Sequence, residues 1–481
     1  MMRKLLYLAI ILLVTVIIFA ACGRGVEENA YDNEPPPTAN HESTPESQAE
    51  VPEEPTESNF VPGNLPGFRG FVGASDSFVT DFDFGLSDFP AIHITTEHYE
   101  INRHVRIDGT ISVSNVAEGY ILEETHMRIR GRGNSSWNYM DKKPFRIRFD
   151  HPTIMLDAGH AARDWTFIPN HSDKSLMRNY SAYYMASLLG GMSYAPFARF
   201  VDVYFNGEYQ GVYMMCIQVN EIRAGRVNLV FHEDPALSEY LLELNRRVHY
   251  DPNNIEGVHF LRIRGRYYEI RFPRGDNLTP EHVDYLREHL TRIDNLMYAR
   301  NPEVFRYIDV PSFIDYYLVQ ELYKNYDISS LSVFMQIRGQ GEERRLEKGP
   351  VWDFDISAGN CYYQDRGNHR GGYGPTGIWA GYMNTWFRWL LEIPEYFDQV
   401  AARWAHIYEN EFLQTIERIE YMATVYQTSF ERNFVRWPIM GLYIWPNPQV
   451  VVEIDTFMGQ VDYLTEFLQT RAAWLQAYFD G

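Results

Sequence analysis

The spacing of apolar residues changes period at Pro280, and that change limits the fold of this 481-residue chain more than any other feature. Before it, AIHITTEHYEI, GTISVSN and EETHMRIRG are short β-branched runs with alternation, punctuated by Gly and Asn, and they read as strands. FVDVYFNGEYQGVYMMCIQV reads as a hairpin turned at Asn206-Gly207, because that pair accepts the positive φ angles of a tight hairpin turn. EYLLELN and YYEIRF supply two more strands. One helix interrupts them, HSDKSLMRNYSAYYMASLLGG, with Ser172 or Asp173 as its cap and the Gly pair as its end. After Pro280, PEHVDYLREHLTRIDNLMYA and PSFIDYYLVQELYKN are helical, LSVFMQIR and GPVWDFD return briefly to strand, and the tail is helical again. In that tail Val461, Leu464, Leu468, Leu475 and Phe479 share one face. Strands first and helices later predict an α+β body, expected as two lobes with a cleft.

Two segments of different composition precede this body. Arg3 and Lys4 stand before the apolar run LLYLAIILLVTVIIFAAC, which ends at Cys22. A charged start, a short apolar stretch and small residues before a cysteine form a secretory signal over 1–22. Ala20, Ala21 and Cys22 resemble a bacterial lipobox, which implies lipidation of Cys22 and a chain anchored in the cell membrane on its extracytoplasmic face. A single membrane-spanning anchor is the alternative, and it also places the rest outside the cytoplasm. Residues 23–60 carry ten acidic residues against one Arg and are rich in Pro, Ser and Thr. Such a composition cannot bury enough apolar surface to offset its ordering entropy, so 23–75 reads as an extended tether. Residues 76–120 read as an N-terminal β region and 121–481 as the main domain. Of the formal charge of −21, about −14 belongs to the part beyond residue 60, which argues against nucleic acid as a partner. Beyond Cys22 only Cys216 and Cys361 remain, too far apart to suggest a disulfide framework, and they read as free thiols.

Three stretches carry the residue types of phosphate and metal chemistry. GPVWDFDISAGN holds Asp353 and Asp355 in what reads as a buried strand. Side chains at i and i+2 of a strand point the same way, so two hard oxygen ligands about 6–7 Å apart would suit Mg²⁺ or Mn²⁺ with phosphate oxygens. The structural alternative is a carboxylate pair facing an arginine or backbone N–H groups. ELYKNYDISSLSVF places Asp327 in a short loop between an apolar helix and a strand, held on both sides, although an Asp after a helix is commonly a turn residue. MRIRGRGNSSWNYMDKKPFRIRFD reads as a hairpin with a long tip. Arg128, Arg130, Arg146 and Arg148 fall on one face of its arms, and Ile129, Phe145, Ile147 and Phe149 on the other. Its tip brings Gly131, Gly133, Asn134, Ser135 and Ser136 together with Lys142 and Lys143, a set that could cradle phosphates or form a solvated basic face. The tip is neither a GxGxxG nor a Walker A sequence, the sequence contains no GxSxG, HExxH or CxxC, and the scattered histidines His93, His98, His104, His160 and His171 show no ligand spacing. The loop CYYQDRGNHRGGYGPTGIWAGYMNTWFRW is rich in Gly, Tyr and Trp, which suits either a groove or core.

Taken in order, RIRGRGNSSW, KKPFRIRF, SDKSLMRN, FVDVYFNGEYQGVY, YYEIRFPR, ELYKNYD and GPVWDFDISAGN resemble the blocks of the CotH kinase family, over about residues 120–435. The resemblance implies an atypical, kinase-like, two-lobed α+β fold that binds ATP with Mg²⁺ or Mn²⁺ and phosphorylates Ser or Thr of a protein acceptor. It implies Asp327 as the catalytic aspartate and Asp353 or Asp355 as the metal ligand, with Asn360 assisting. Arg130, Asn134, Ser135, Ser136, Lys143, Arg146 and Arg148 then belong to the phosphate side. Two positions depart from the pattern: Ile217 stands where the family has Glu, with Glu221 close by, and Ser332 stands where a kinase loop has Asn, with Asn360 as the replacement. The alternative reading is a non-catalytic kinase-like surface domain that binds a protein or glycan through the aromatic loop.

Overall fold

The computed structural model describes residues 65–66, 68–71, 88–97, 100–219, 228–362 and 374–481. The signal with Cys22, Glu221, residues 363–373 of the aromatic loop and most of the tether lie outside the described residues; the described part of the stretch read as tether is tied to the body, with Leu65 buried and Arg69 paired with Asp309 at 2.6 Å. Seven strands come first: β1 (Ala91–Thr96), β2 (Ile107–Ser114), β3 (Leu122–Gly131), β4 (Phe145–Thr153), β5 (Ala162–Ile168), β6 (Ala198–Phe205) and β7 (Glu208–Ile217). Helix α1 (Ser135–Tyr139) sits between β3 and β4, and α2 (Arg178–Leu188) between β5 and β6. The strands close into a barrel in the order β1-β2-β3-β4-β5-β7-β6, because β6 returns parallel to β1. β1 and β2, from the stretch read as a separate N-terminal β region, are staves of this same barrel.

Alternation decides what the barrel holds. Ile111, Met127, Ile129, Ile147, Phe149 and Trp165 point inward into an apolar core, which sends Arg128, Arg130, Arg146 and Arg148 to the outer face. The Asn206-Gly207 turn forms as expected, with φ of +48° and +83°.

A second sheet follows, built from β8 (Tyr240–Leu244), β9 (Phe260–Ile263), β10 (Arg266–Phe272), β11 (Val333–Arg338) and β12 (Arg345–Lys348) in the order β12-β11-β8-β10-β9. Every neighbour in it is antiparallel. Between β10 and β11 run α3 (Pro280–Tyr298) and α4 (Val310–Leu322). After β12 come α5 (Ala380–Met383), α6 (Thr385–Leu390), α7 (Pro394–Glu409), α8 (Glu411–Val425), α9 (Gln427–Arg436), α10 (Gln449–Glu453) and α11 (Phe457–Phe479). Helix α4 is buried on every side, as its near-continuous apolar sequence requires, and its two acids are paired internally: Asp315 with Arg403 and Glu321 with Arg471. Asp309 caps it, accepting from Ser312 N at 2.9 Å.

The α+β class stands, and three expectations are corrected. A closed barrel is found rather than the expected two-lobed kinase-like body, because the β1–β6 pairing joins strands far apart in sequence. Helix α2 begins at Arg178 rather than at Ser172 or Asp173. Residues 170–177 form tight turns instead, with Asn170 and Leu176 at φ +47° and +60°. GPVWDFD is not a strand either: the ladder stops at Lys348, and Pro350 has no N–H to extend it.

Candidate active site

Asp353 has φ +67°, a left-handed backbone that breaks strand alternation, so the i, i+2 geometry expected for Asp353 and Asp355 does not apply. Both carboxylates nevertheless line one cavity, because the loop that carries them is fixed from behind. Phe354 N donates to Asn179 Oδ1 at 2.6 Å, and Asn325 Nδ2 donates to Asp353 O at 3.2 Å. Arg178 donates from Nε to Ser357 O at 3.0 Å and from Nη2 to Ala358 O at 3.0 Å, while Asp173 Oδ1 neutralises its Nη1 at 2.5 Å. Phe354 is fully buried, with its ring edge-to-face on Tyr323 at 5.5 Å. The SDKSLMRN block therefore works as a clamp on the WDFD loop. A strained residue held by so many partners is a frequent mark of a functional site.

The third aspartate comes from the end of α4. Asn325 Oδ1 accepts from Asp327 N at 3.1 Å and starts a single 3-10 turn, Tyr326–Ser329, which presents Asp327 to the cavity. Ser332 Oγ donates to Asp353 Oδ2 at 3.1 Å, so the residue standing where a kinase loop has Asn touches an acid of the site.

The cavity has a volume of about 910 Å³. Besides the acids it is lined by the hairpin tip, Gly133, Asn134, Ser135 and Ser136, and by Arg132 and Arg146. A third wall comes from the second sheet, where Arg246, Arg247 and Arg271 project with Glu243 and Asn245. Trp352, stacked on Tyr183 at 5.7 Å and with the Arg132 guanidinium 5.8 Å above it, adds an aromatic surface, as do Trp379 and Tyr382 of the aromatic loop.

The charge pattern of the site differs from that of the rest of the molecule. Among the described residues ten carboxylates are buried, and nine of them form ion pairs: Asp164, Asp173, Asp202, Glu243, Glu269, Asp294, Asp309, Asp315 and Glu321. Among the described residues Asp327 is the exception, and the half-buried Asp353 and Asp355 have no ion pair either. Burial, then the charge of Asp353, pushes Asp327 up to about 7, against the pull of Arg247 and Arg246. Burial and the charges of Asp353, Asp327 and Asp173 push Asp355 well above the carboxylate range. The three acids thus repel one another in a cavity whose lining arginines form no ion pair with them among the described residues.

The remaining residues singled out in the sequence divide between the cavity and its surroundings. Arg130, Arg148 and Lys143 do not line it: Arg148 joins Arg146 on Asp164, and Lys143 Nζ donates to Trp137 O at 2.6 Å. Lys142 turns into the interior, donating to Pro169 O at 3.0 Å, to Val212 O and to Asn433 Oδ1 at 2.8 Å. Asn360 is buried behind the loop and donates to Ser172 O and Asp355 O at 3.1 and 2.7 Å. Cys216 and Cys361 are both buried and neither is in a disulfide. Arg246, Arg247 and Arg271 were missed by sequence reasoning; the available signal was an arginine pair directly after a strand, in ELNRRV.

Gly131 ends β3 beneath Trp137, and any Cβ there would collide with that indole. Gly131→Ala is expected to cost about 1–3 kcal/mol in stability and to displace Trp137, read by chemical denaturation and by tryptophan fluorescence.

A family model described as CotH kinase protein matches residues 129–475. The chain belongs to the CotH kinase protein family. That segment contains every cavity residue named above, and membership points to kinase-like chemistry. No curated protein matches the chain. The divalent metal that CotH membership implies fits the donors present, for a physical reason. Among the described residues no group of three or more Asp, Glu, His or Cys is arranged to hold a metal ion by itself. Mg²⁺ is commonly held by one or two carboxylates, with substrate phosphates and water completing its shell, and Asp353 and Asp355 supply such a pair.

Proposed function

We propose that this CotH family chain is an atypical protein kinase that transfers the γ-phosphate of ATP to a Ser or Thr hydroxyl of a protein acceptor. The observation that carries this reading is the convergence of three unpaired carboxylates and an arginine-lined hairpin tip on one cavity. Phosphoryl transfer needs positioning and charge compensation more than covalent help, and both wall types are of the kind required. Asp327 orients the acceptor hydroxyl and takes its proton as the oxygen–phosphorus bond forms; a carboxylate near 7 is poised to do so at neutral pH. Asn134, Ser135, Ser136, Arg132 and Arg146 receive the phosphate chain, and Arg246, Arg247 and Arg271 extend the positive wall. Asp353 and Asp355 would hold Mg²⁺ or Mn²⁺, which supplies the positive charge that phosphate oxygens and these acids share. Asn360 and Lys143 act from behind, on the backbone of the loop and of the tip. On this reading the barrel and the helical part are the two halves of a kinase-like body. The chain works on the extracytoplasmic face of the cell membrane, tethered through a lipidated Cys22.

Incubation with γ-labelled ATP and Mn²⁺ tests the reading. Label is expected on a Ser-containing acceptor or on the chain itself, and chelation of the metal is expected to abolish it. Absence of both label transfer and nucleotide binding by calorimetry would leave a non-catalytic binding domain.

A further inference from the structure

The arginines that line the cavity differ in how far their charge is already neutralised. Arg146 pairs with Asp164 at 3.0 Å, and Arg132 lies over Trp352, 5.8 Å from the ring centroid. Arg271 stands between Glu243 and Glu269, with Nη1 2.8 Å from Glu269 Oε1. Arg246 and Arg247 are exposed, and their guanidiniums have neither an ion pair nor a hydrogen bond among the described residues. Water satisfies most exposed arginines, so exposure alone says little. What sets this pair apart is the element to which it is fastened.

Both arginines follow β8 directly and belong to a turn bonded to the one that carries Asp327. Arg246 N donates to Ser330 O at 2.8 Å, and Ser330 N and Leu331 N donate to Asp327 O at 3.1 and 2.9 Å. Arg247 N donates to Asn245 Oδ1 at 3.0 Å, and Asn245 Nδ2 donates to Glu269 Oε2 at 2.7 Å. These bonds hold the backbone of the pair against the 3-10 turn of Asp327. The charges of Arg247 and Arg246 act on the Asp327 carboxyl, pulling it down against burial. In the phosphoryl-transfer reading Asp327 meets the acceptor hydroxyl and the hairpin tip meets the phosphates, so these two cations stand with the acceptor.

We propose that Arg246 and Arg247 select the acceptor: they pair with a Glu or Asp side chain next to the receiving Ser or Thr. A guanidinium fork matches a carboxylate with two parallel hydrogen bonds, and adjacent arginines offer two forks. The chain as a whole carries −21, so its overall field repels an acidic segment and the attraction comes from these local cations. The transfer step is unaltered. The acceptor oxygen bonds to the γ-phosphorus, and the bond from that phosphorus to the oxygen bridging it to the β-phosphate breaks. ADP leaves with the electron pair, and the hydroxyl proton passes to Asp327. The selection rests on the phosphoryl-transfer reading, whereas binding of the acidic segment does not.

Fluorescence anisotropy and label transfer on the full chain separate the two. The probes are three short peptides with one Ser flanked by Glu, by Gln or by Lys. Without nucleotide, the wild type is expected to bind the Glu peptide about tenfold or more tighter than the Gln peptide, and the Lys peptide least. In the double variant Arg246→Gln, Arg247→Gln, checked for an unchanged melting temperature, that preference is expected to shrink to about twofold or less. In Arg246→Glu, Arg247→Glu it is expected to turn toward Lys. Transfer from γ-labelled ATP with Mn²⁺ is read at a pH well above the Asp327 transition at about 7, so that the base is ionised in every variant. There the Gln variant is expected to raise KM for the Glu peptide about tenfold, with the loss in KM rather than kcat. A folded Gln variant that keeps the preference overturns the proposal, and so does a wild type that binds the Glu and Gln peptides equally. A comparable rise in KM for ATP assigns the pair to the nucleotide and also overturns it. Discrimination by binding in a chain that labels no peptide keeps the arginine pair and removes the kinase. Equal labelling of all three peptides keeps the kinase and removes the selection.

Discussion

Asp327→Asn is expected to lower turnover by roughly 10³-fold while leaving nucleotide affinity within about twofold. The amide keeps the shape and the hydrogen bond that the backbone N of this residue donates to Asn325 Oδ1, but it cannot take a proton. The wild-type rate is expected to rise with pH through about 7 and then level, because Asp327 is inert while protonated. Asp353→Asn and Asp355→Asn should each cost about 10²-fold or more and should also weaken Mn²⁺-dependent nucleotide binding, which separates them from Asp327. Steady-state kinetics with calorimetric nucleotide titration checks all three. Full turnover in Asp327→Asn would remove the base, and full turnover in both of the others would remove the metal pair.

The second large effect concerns stability rather than chemistry. Arg178 and Asp173 are fully buried and pair at 2.5 Å, and the same guanidinium holds the carbonyls of Ser357 and Ala358. Arg178→Ala leaves a buried carboxylate and two carbonyls without their partner, and is expected to cost about 3–5 kcal/mol. Asn179→Ala removes the acceptor for Phe354 N and the donor to Asn170 Oδ1, and should cost about 1–3 kcal/mol. Both variants release the WDFD loop, so metal-dependent binding should fall further than global stability alone predicts. Urea denaturation with and without Mn²⁺-nucleotide measures this, and an Arg178→Ala protein as stable as the wild type would refute the clamp.

Local features were legible in the sequence, and non-local ones were not. Asn206-Gly207 and the alternation of RIRG against FRIRF each contain their own geometry, so the two hairpins follow from a few residues. The parallel pairing of β1 with β6 closes the barrel across about a hundred residues, and no short pattern encodes it. Strand reasoning failed at GPVWDFD because the left-handed Asp353 is imposed by Asn179, Asn325 and Tyr183, which arrive from elsewhere in the chain. Lys142 and Lys143 are neighbours of equal charge, and only the structure shows one tied to Asn433 in the interior and the other to the hairpin tip. Asn360 is near the aspartates in sequence, but its amide is committed to the backbone of Ser172 and Asp355. Arg246 and Arg247 escaped because a loop pair has no periodicity, although their charges bear directly on Asp327.

A ring of strands has no first or last member, so the barrel offers no row of vacant backbone groups to a passing chain. The outer strand β12 of the other sheet is covered as well, with Leu346 exchanging hydrogen bonds with Tyr307 O and Asp309 N. At these strands crowded copies of this protein have little ladder to extend into fibrils, and encounters there are left to side chains.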